Sequence, residues 1–188
     1  MRVLVACEFS GTVRDAFTER GHDAWSCDLL PSDTKGNHII GDAFDVINGG
    51  QWDLMIAHPP CTYLCNSGVR WLHKDETRWD KMRAGAHFFK RLMNADINKI
   101  AVENPIMHKY AVEVIGRRQC QLVQPWQHGH GETKATGFWL KNLPKLNHSD
   151  IVDGREQRVH KMGPSPDRWK LRSTTYRGIA KAMALQWG

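Results

Sequence analysis

The stretch 53–68, Asp-Leu-Met-Ile-Ala-His-Pro-Pro-Cys-Thr-Tyr-Leu-Cys-Asn-Ser-Gly, narrows the fold more than any other. Leu54 to Ala57 is apolar at every position, so the strand it predicts is buried on both faces, as in a parallel sheet covered on each side. Pro59 and Pro60 lack amide hydrogens and cannot prolong a ladder. The chain must therefore leave the sheet there, and Cys61 comes immediately after. A cysteine needed for packing alone has no reason to sit at that turn.

The pattern of a short apolar run followed by a polar loop recurs along the chain. Residues 2–9 give a first strand, and 10–21 give a helix with Val13, Ala16 and Phe17 on one face and Gly21 at its end. A second strand ends at Asp28, a third precedes Asp42, and a fifth, Lys-Ile-Ala-Val-Glu-Asn-Pro, is cut off by Pro105. Between the fourth and fifth, residues 75–94 repeat Trp79, Met82, Ala86, Phe89 and Met93 at helical spacing. A helix near 107–116, strands near 120–126 and 134–141, and a closing helix complete the reading. Strands alternating with helices predict an α/β fold with a mostly parallel sheet and helices on both faces, in a single domain over 1–188.

In such sheets ligands bind beyond the carboxyl ends of the strands. The polar groups fall there: Glu8-Phe9-Ser10-Gly11, Asp28, Asp42, His58 to Cys61, and Glu103-Asn104-Pro105. Gly11 between a strand and a helix allows close approach of a ligand, and the helix start is expected to offer free amides. Asp28 is placed for ribose hydroxyls and Asp42 for an adenine amino group, so together they outline an adenosine site. The Cys61 thiolate is a nucleophile for carbon 6 of a pyrimidine, if Glu103 protonates ring nitrogen 3. Carbon 5 is then primed to accept a methyl group from a sulfonium donor.

No stretch of 18 apolar residues occurs, and the first residues are too short an apolar run for a secretory signal, so a cytoplasmic protein without a membrane partner is expected. Five cysteines (7, 27, 61, 65, 120) form no disulfide framework, and Cys61-x3-Cys65 without a second cysteine pair does not match zinc spacing. Residues 141–182 hold ten Lys or Arg against four Asp or Glu, which accounts for the whole formal charge of +6. That local excess, interleaved with Trp169 and Tyr176, favours a polyanionic partner.

The order F-S-G, D, G-D, P-P-C, E-N-P resembles the cytosine carbon-5 DNA methyltransferases, and most of all the short forms encoded by bacteriophages. The resemblance covers nearly the whole chain, with Pro60-Cys61 and Glu103-Asn104 as its most specific elements. It implies a Rossmann-like fold dependent on S-adenosylmethionine, with Cys61 as nucleophile on a loop shaped by Pro60 and braced by Asn104. Phe9, Ser10 and Gly11 would line the methionine part of the cofactor, Asp28 the ribose, Leu29 the adenine face and Asp42 its amino group. Ser173 and Thr174 would close the cofactor pocket. Lys134 and Arg118 stand in for base or phosphate contacts, because the family's Gln-x-Arg-x-Arg segment has no clean counterpart. The family's second glycine is Val13 here, and His58-Pro59 replaces a Gly-Phe lead-in. Only 142–172, a reduced basic segment, stands where a target-recognition domain would be. Duplex or single-stranded DNA is then the expected partner, with short or loose sequence specificity unless a homodimer supplies a second subunit.

Cys65 and Cys120 read as packed thiols, Trp71, Trp79 and Trp139 as core, and His128 and His130 as loop residues. An amino-directed methyltransferase needs Asp or Asn before Pro-Pro and an aromatic after; His58 and Cys61 argue against it. Two rivals stay open: the same chemistry on a free deoxycytidine nucleotide, and a non-catalytic nucleic-acid-binding protein on the same fold.

Overall fold

The computed structural model describes all residues, 1–188. Its strands are β1 (Arg2–Ala6), β2 (Asp23–Asp28), β3 (His38–Ile40), β4 (Leu54–Ala57), β5 (Lys99–Pro105), β6 (Gln121–Val123) and β7 (Thr136–Lys141). They form one sheet in the order β3-β2-β1-β4-β5-β7-β6. The first five are parallel, and β7 runs antiparallel between β5 and β6. The strand order reverses between β1 and β4, where ligands bind in doubly wound sheets.

Alternation along the strands sorts the core into two layers. Leu4, Ala6, Met55, Ala57, Ile100 and Val102 pack with the helices α2 (Ala43–Gly49), α3 (Thr77–Met93) and α4 (Lys109–Ile115). Val3, Val5, Leu54, Ile56 and Ala101 face α1 (Thr12–Thr18) and α7 (Arg177–Trp187). Strands buried on both sides explain why their sequences are apolar at consecutive positions. Val13 belongs to this second layer, fully buried with Val5 and Phe17. Its side chain points into the core, so the missing glycine does not alter the cleft lining.

Three features depart from the sequence reading. Residues 43–49 form α2 because Asp42 caps it, its Oδ1 accepting from the Phe44 amide at 2.7 Å. Residues 158–173, within the basic segment, hold two short helices that the sequence reading did not place, α5 (Arg158–Lys161) and α6 (Arg168–Ser173). Trp139 is buried and Trp79 packs against the core, but Trp71 is 44% exposed, because it ends the 3-10 turn at 66–71 with Arg70 and Lys74 against its ring.

Arg14 fixes the loop after β2. It is completely buried, and its guanidinium pairs with Asp15 Oδ1 (2.7 Å) and donates to Ser26 Oγ (3.0 Å), Ser32 Oγ (3.1 Å), Thr34 Oγ1 (2.5 Å) and the Lys35 carbonyl (3.2 Å). A charge can be buried at this depth only with such compensation. Arg14→Met is expected to lower stability by roughly 2–4 kcal/mol, read as a lower urea midpoint with an unchanged slope. An unchanged midpoint would show that the loop does not depend on it.

Candidate active site

Ala6, Asp28, Ile40, Ala57 and Pro105 close their strands along one edge of the sheet. At the end of β1, Cys7 takes a left-handed φ of 59°, and the chain reverses so that Glu8 turns back toward α1. Glu8 Oε1 accepts from the Val13 amide (2.7 Å) and Ser10 Oγ (3.3 Å), and Oε2 from the Arg14 amide (3.2 Å). The amides expected to be free for a ligand are therefore engaged by the protein's own carboxylate. Burial pushes the Glu8 carboxyl up, while His58 and the two amides hold it back. Gly11 has φ +71°, and a Cβ there would fall on Thr34 Oγ1 and the Arg14 guanidinium, so glycine is demanded by the loop as well as the backbone.

At the ends of β2 and β3, Asp28 Oδ1 accepts from the Leu30 amide (3.0 Å), and Leu29 is 75% exposed beside it. Asp42 caps α2 through one oxygen. An apolar plate beside two carboxylates, each with a second oxygen free of protein hydrogen bonds, suits an adenosine.

The ends of β4 and β5 carry the reactive groups. Ladder pairing stops at Ala57 and Val102, and side chains continue it. His58 Nδ1 meets Glu103 Oε2 at 2.6 Å with both side chains 12% exposed, and Asn104 Nδ2 donates to the Pro59 carbonyl at 3.1 Å. Burial disfavours both charges, but their mutual hydrogen bond and attraction prevail. Glu103 is held below the usual carboxylate range and His58 above the usual imidazole range, the latter with help from Glu8. Cys61 opens a turn in which the Leu64 and Cys65 amides donate to its carbonyl at 3.0 and 3.1 Å. This brings the two thiols together. The neighbouring Cys61 thiol, then the Ser67 hydroxyl at 3.1 Å and the Gly68 amide, lower the Cys65 pKa against the effect of burial. The same contact, burial and Glu103 push Cys61 up. Cys65 is thus a half-buried thiol with the Ser67 hydroxyl as a polar partner.

His58, Cys61 and Glu103 line a cleft of about 120 Å³, with Cys65 outside it. Phe9, Ser10 and Pro60 form part of its wall with Cys61, Glu103 and Asn104. Lys134, Ser173 and Thr174 close it from the carboxyl-terminal half, Lys134 Nζ donating to the Thr174 carbonyl at 3.4 Å. α6 is tied down over the edge, with Trp169 against the Phe9 ring at 5.5 Å and Lys170 on Asp33 at 2.6 Å. Asp28, Leu29 and Asp42 lie further along the same edge, outside this cleft. Arg118 is not brought to the site: it stands in the exposed loop before β6, whose neighbour Arg117 bonds the Leu140 carbonyl below the edge. A larger groove of about 470 Å³ between α2 and α3, lined by Phe44, His87 and Arg91, opens near the opposite edge and holds no nucleophile.

Glu8 and His58, which the sequence reading placed at this edge without a role, and Arg172, which it did not place there, also line the cleft. For His58 a signal existed, since it directly precedes Pro59-Pro60 at a strand end. Arg172 had none, because only the fold of α6 carries it to the cleft. No group of His, Cys, Asp and Glu is arranged to hold a metal ion.

Neither a protein-family model nor a curated protein matches the sequence. Among solved structures, the chain is similar to a prophage-encoded protein of Escherichia coli described as a DNA modification methyltransferase, with a TM-score of 0.52 at 14% identity. The match covers 86% of this chain and 55% of that one. The fold is a methyltransferase fold. A methyltransferase of Entamoeba histolytica aligns over 87% of this chain and 60% of its own, at 14% identity and a TM-score of 0.49. The chain thus spans little more than half the length of these structures. No helix is long and apolar enough to cross a membrane.

Cys65 is expected to be the cysteine alkylated fastest by iodoacetamide at about pH 6–7, since the thiolate is the reactive form. Peptide mapping checks this, and Cys61→Ser should weaken the preference. Labelling of Cys120 or Cys7 ahead of Cys65 would contradict the arrangement.

Proposed function

We propose that this chain is a DNA (cytosine-5-)-methyltransferase, moving a methyl group from S-adenosylmethionine to carbon 5 of cytosine through a covalent adduct on Cys61. The observation that carries this reading is the meeting of Cys61 with the His58–Glu103 pair in one cleft, on a loop braced by Asn104. The reading is also supported by the methyltransferase fold and by the exposed Leu29 between Asp28 and Asp42.

Asp28, Leu29 and Asp42 would hold the adenosyl part of the donor, with Phe9, Ser10, Gly11, Ser173 and Thr174 around its methionine part. The donor supplies an electrophilic methyl group when bound. The chain's own residues prepare the acceptor. Cys61 releases its proton to water as its sulfur attacks carbon 6 of the ring. Glu103 delivers a proton to ring nitrogen 3 and is reloaded from His58 Nδ1, so the pair supplies a proton although Glu103 rests ionised. Lys134, beside Glu103 and Cys61, offsets the negative charge that gathers as the thiol ionises. After transfer, water takes the carbon 5 proton, the elimination expels the Cys61 thiolate, and the nitrogen 3 proton returns to the pair.

A base within a duplex must be flipped out at a cost of a few kcal/mol, so mismatched or single-stranded cytosine is favoured. The small cleft beneath α6 and the lack of a recognition domain keep a second reading in play: the same chemistry on a free deoxycytidine nucleotide.

DNA carrying 5-fluorocytosine tests the covalent step, because fluorine cannot be eliminated after methyl transfer. The wild type should form a denaturant-stable adduct, Cys65→Ser should still form it, and Cys61→Ser should form none. Glu103→Gln should slow the reaction about 10²–10⁴-fold. Methylation of cytosine by Cys61→Ser at the wild-type rate would overturn the assignment.

The pair also sets a pH dependence. His58 loses its proton as pH rises through its raised pKa, so the rate should fall on the alkaline side, above the ordinary value of about 6.5. His58→Asn keeps an N–H donor toward Glu103 but cannot reload it. It should be slow throughout and lack that alkaline limb; a wild-type pH profile would contradict the relay.

A further inference from the structure

Cys61 opens the loop after the two prolines, and a second thiol lies one turn further on. The Cys65 amide donates to the Cys61 carbonyl at 3.1 Å, and the Leu64 amide reaches the same oxygen at 3.0 Å. A bond from residue i+4 back to residue i holds the two Cα atoms about 6 Å apart, inside the ~4.4–6.8 Å that a disulfide spans. Each thiol is the largest single influence on the other's ionisation, as neighbouring sulfurs are.

The two ends of the turn are held differently. Cys65 is fixed by its bridge to Met107, with the Asn66 amide on the Ile106 carbonyl at 2.9 Å and the His108 amide on the Leu64 carbonyl at 3.0 Å. Its backbone is extended, with φ −83° and ψ 150°, so helical geometry does not lock its side chain. It lies half-buried outside the cleft, with the Ser67 hydroxyl 3.1 Å from its sulfur. Cys61 lines the cleft beside Glu103 and Lys134. The other thiols lack this arrangement. Burial, with Asp28 and Asp42, pushes Cys7 up to about 12 and Cys27 up to about 11, so both rest protonated and unreactive. Cys120, beside β7, takes hydrogen bonds from Arg117 and the Leu140 amide instead.

We infer that Cys61 and Cys65 form a reversible redox pair: a peroxide closes them into a disulfide that draws the Cys61 sulfur out of the cleft, and a dithiol reopens it. The Cys65 thiolate attacks one peroxide oxygen and the O–O bond breaks. The departing hydroxide takes up the proton that Cys65 gave up, and the sulfur is left as a sulfenic acid. The Cys61 sulfur then attacks the sulfenic sulfur. The S–S bond forms, the S–O bond breaks, and the leaving hydroxide takes the Cys61 proton to become a second water. Two thiols and one peroxide thus give one disulfide and two waters. The disulfide itself needs no methyl transfer; its effect on the rate rests on the proposed role of Cys61.

Peptide mapping of the whole protein reads the pair without reading catalysis. The wild type, Cys65→Ser and Cys61→Ser are treated with a few equivalents of hydrogen peroxide near neutral pH, and free thiols are then alkylated. Cys61 and Cys65 share one tryptic peptide, residues 36–70, so the disulfide shows as that peptide lighter by two hydrogens and closed to alkylation. Dithiothreitol should restore both thiols, while Cys7, Cys27 and Cys120 stay reduced throughout. In Cys61→Ser, dimedone should trap a sulfenic acid on Cys65. Formation of the 5-fluorocytosine adduct by the wild type should fall in step with the disulfide and return with dithiothreitol. Cys65→Ser should keep forming the adduct at a peroxide dose that silences the wild type. Cys61 and Cys65 that both stay open to alkylation after peroxide, or that gain oxygen without linking, would overturn the pair. So would loss of the adduct in Cys65→Ser at the wild-type dose. A disulfide in a protein that makes no 5-methylcytosine would keep the pair and remove the methylation reading instead.

Discussion

Two consecutive prolines end the pairing of β4 with β5, and the site is built in the gap they open. Without amide hydrogens, Pro59 and Pro60 cannot donate to β5, so the ladder stops after Ala57 and Val102. Side chains take over: His58 reaches Glu103, and Asn104 reaches back to the Pro59 carbonyl. The interruption frees the chain to turn sharply at Cys61 while both strands still hold the turn in place. Without the pairing below it, the loop would have no fixed position; without the interruption, Cys61 would be one more residue buried in the sheet.

That arrangement also sets the electrostatics. Glu103 and His58 are too deeply buried to be charged singly, and each makes the other's charge tolerable. Glu8 is accommodated by the first amides of α1, and Arg14 by hydroxyls and carbonyls of the loop after β2. At the cleft itself, Lys134 and Arg172 have no carboxylate partner. Of the ten cations in residues 141–182, Arg158 and Lys170 are paired within the protein, and the other eight have no carboxylate partner.

Much of the architecture is legible in the sequence because burial on both faces leaves a plain mark. The runs 2–6, 54–57 and 99–102 are apolar at every position or nearly so, and each ends in a polar group or a proline. α3 is equally clear from its helical repeat of Met82, Ala86 and Phe89. The short helix α2 is hidden, because its formation depends on the Asp42 cap more than on periodicity. Residues brought together only by tertiary folding are the least readable. Arg172 stands nearly seventy residues beyond β5, and nothing local marks it; Arg118, suggested by its place before a late strand, lies away from the cleft. Hydrophobicity alone assigns Trp71 to the core, whereas Arg70 and Lys74 cover its ring at the surface.

The proposed methyl-donor site and the thiol nucleophile share one edge of the sheet, and the identity of the acceptor atom decides the account. The direct measurement is mass spectrometry of nucleosides after incubation with isotopically labelled S-adenosylmethionine and either single-stranded DNA or dCMP. The account predicts label on carbon 5 of deoxycytidine, lost in Cys61→Ser. Label on an exocyclic nitrogen, or none with either acceptor in a protein that binds the donor, would contradict it.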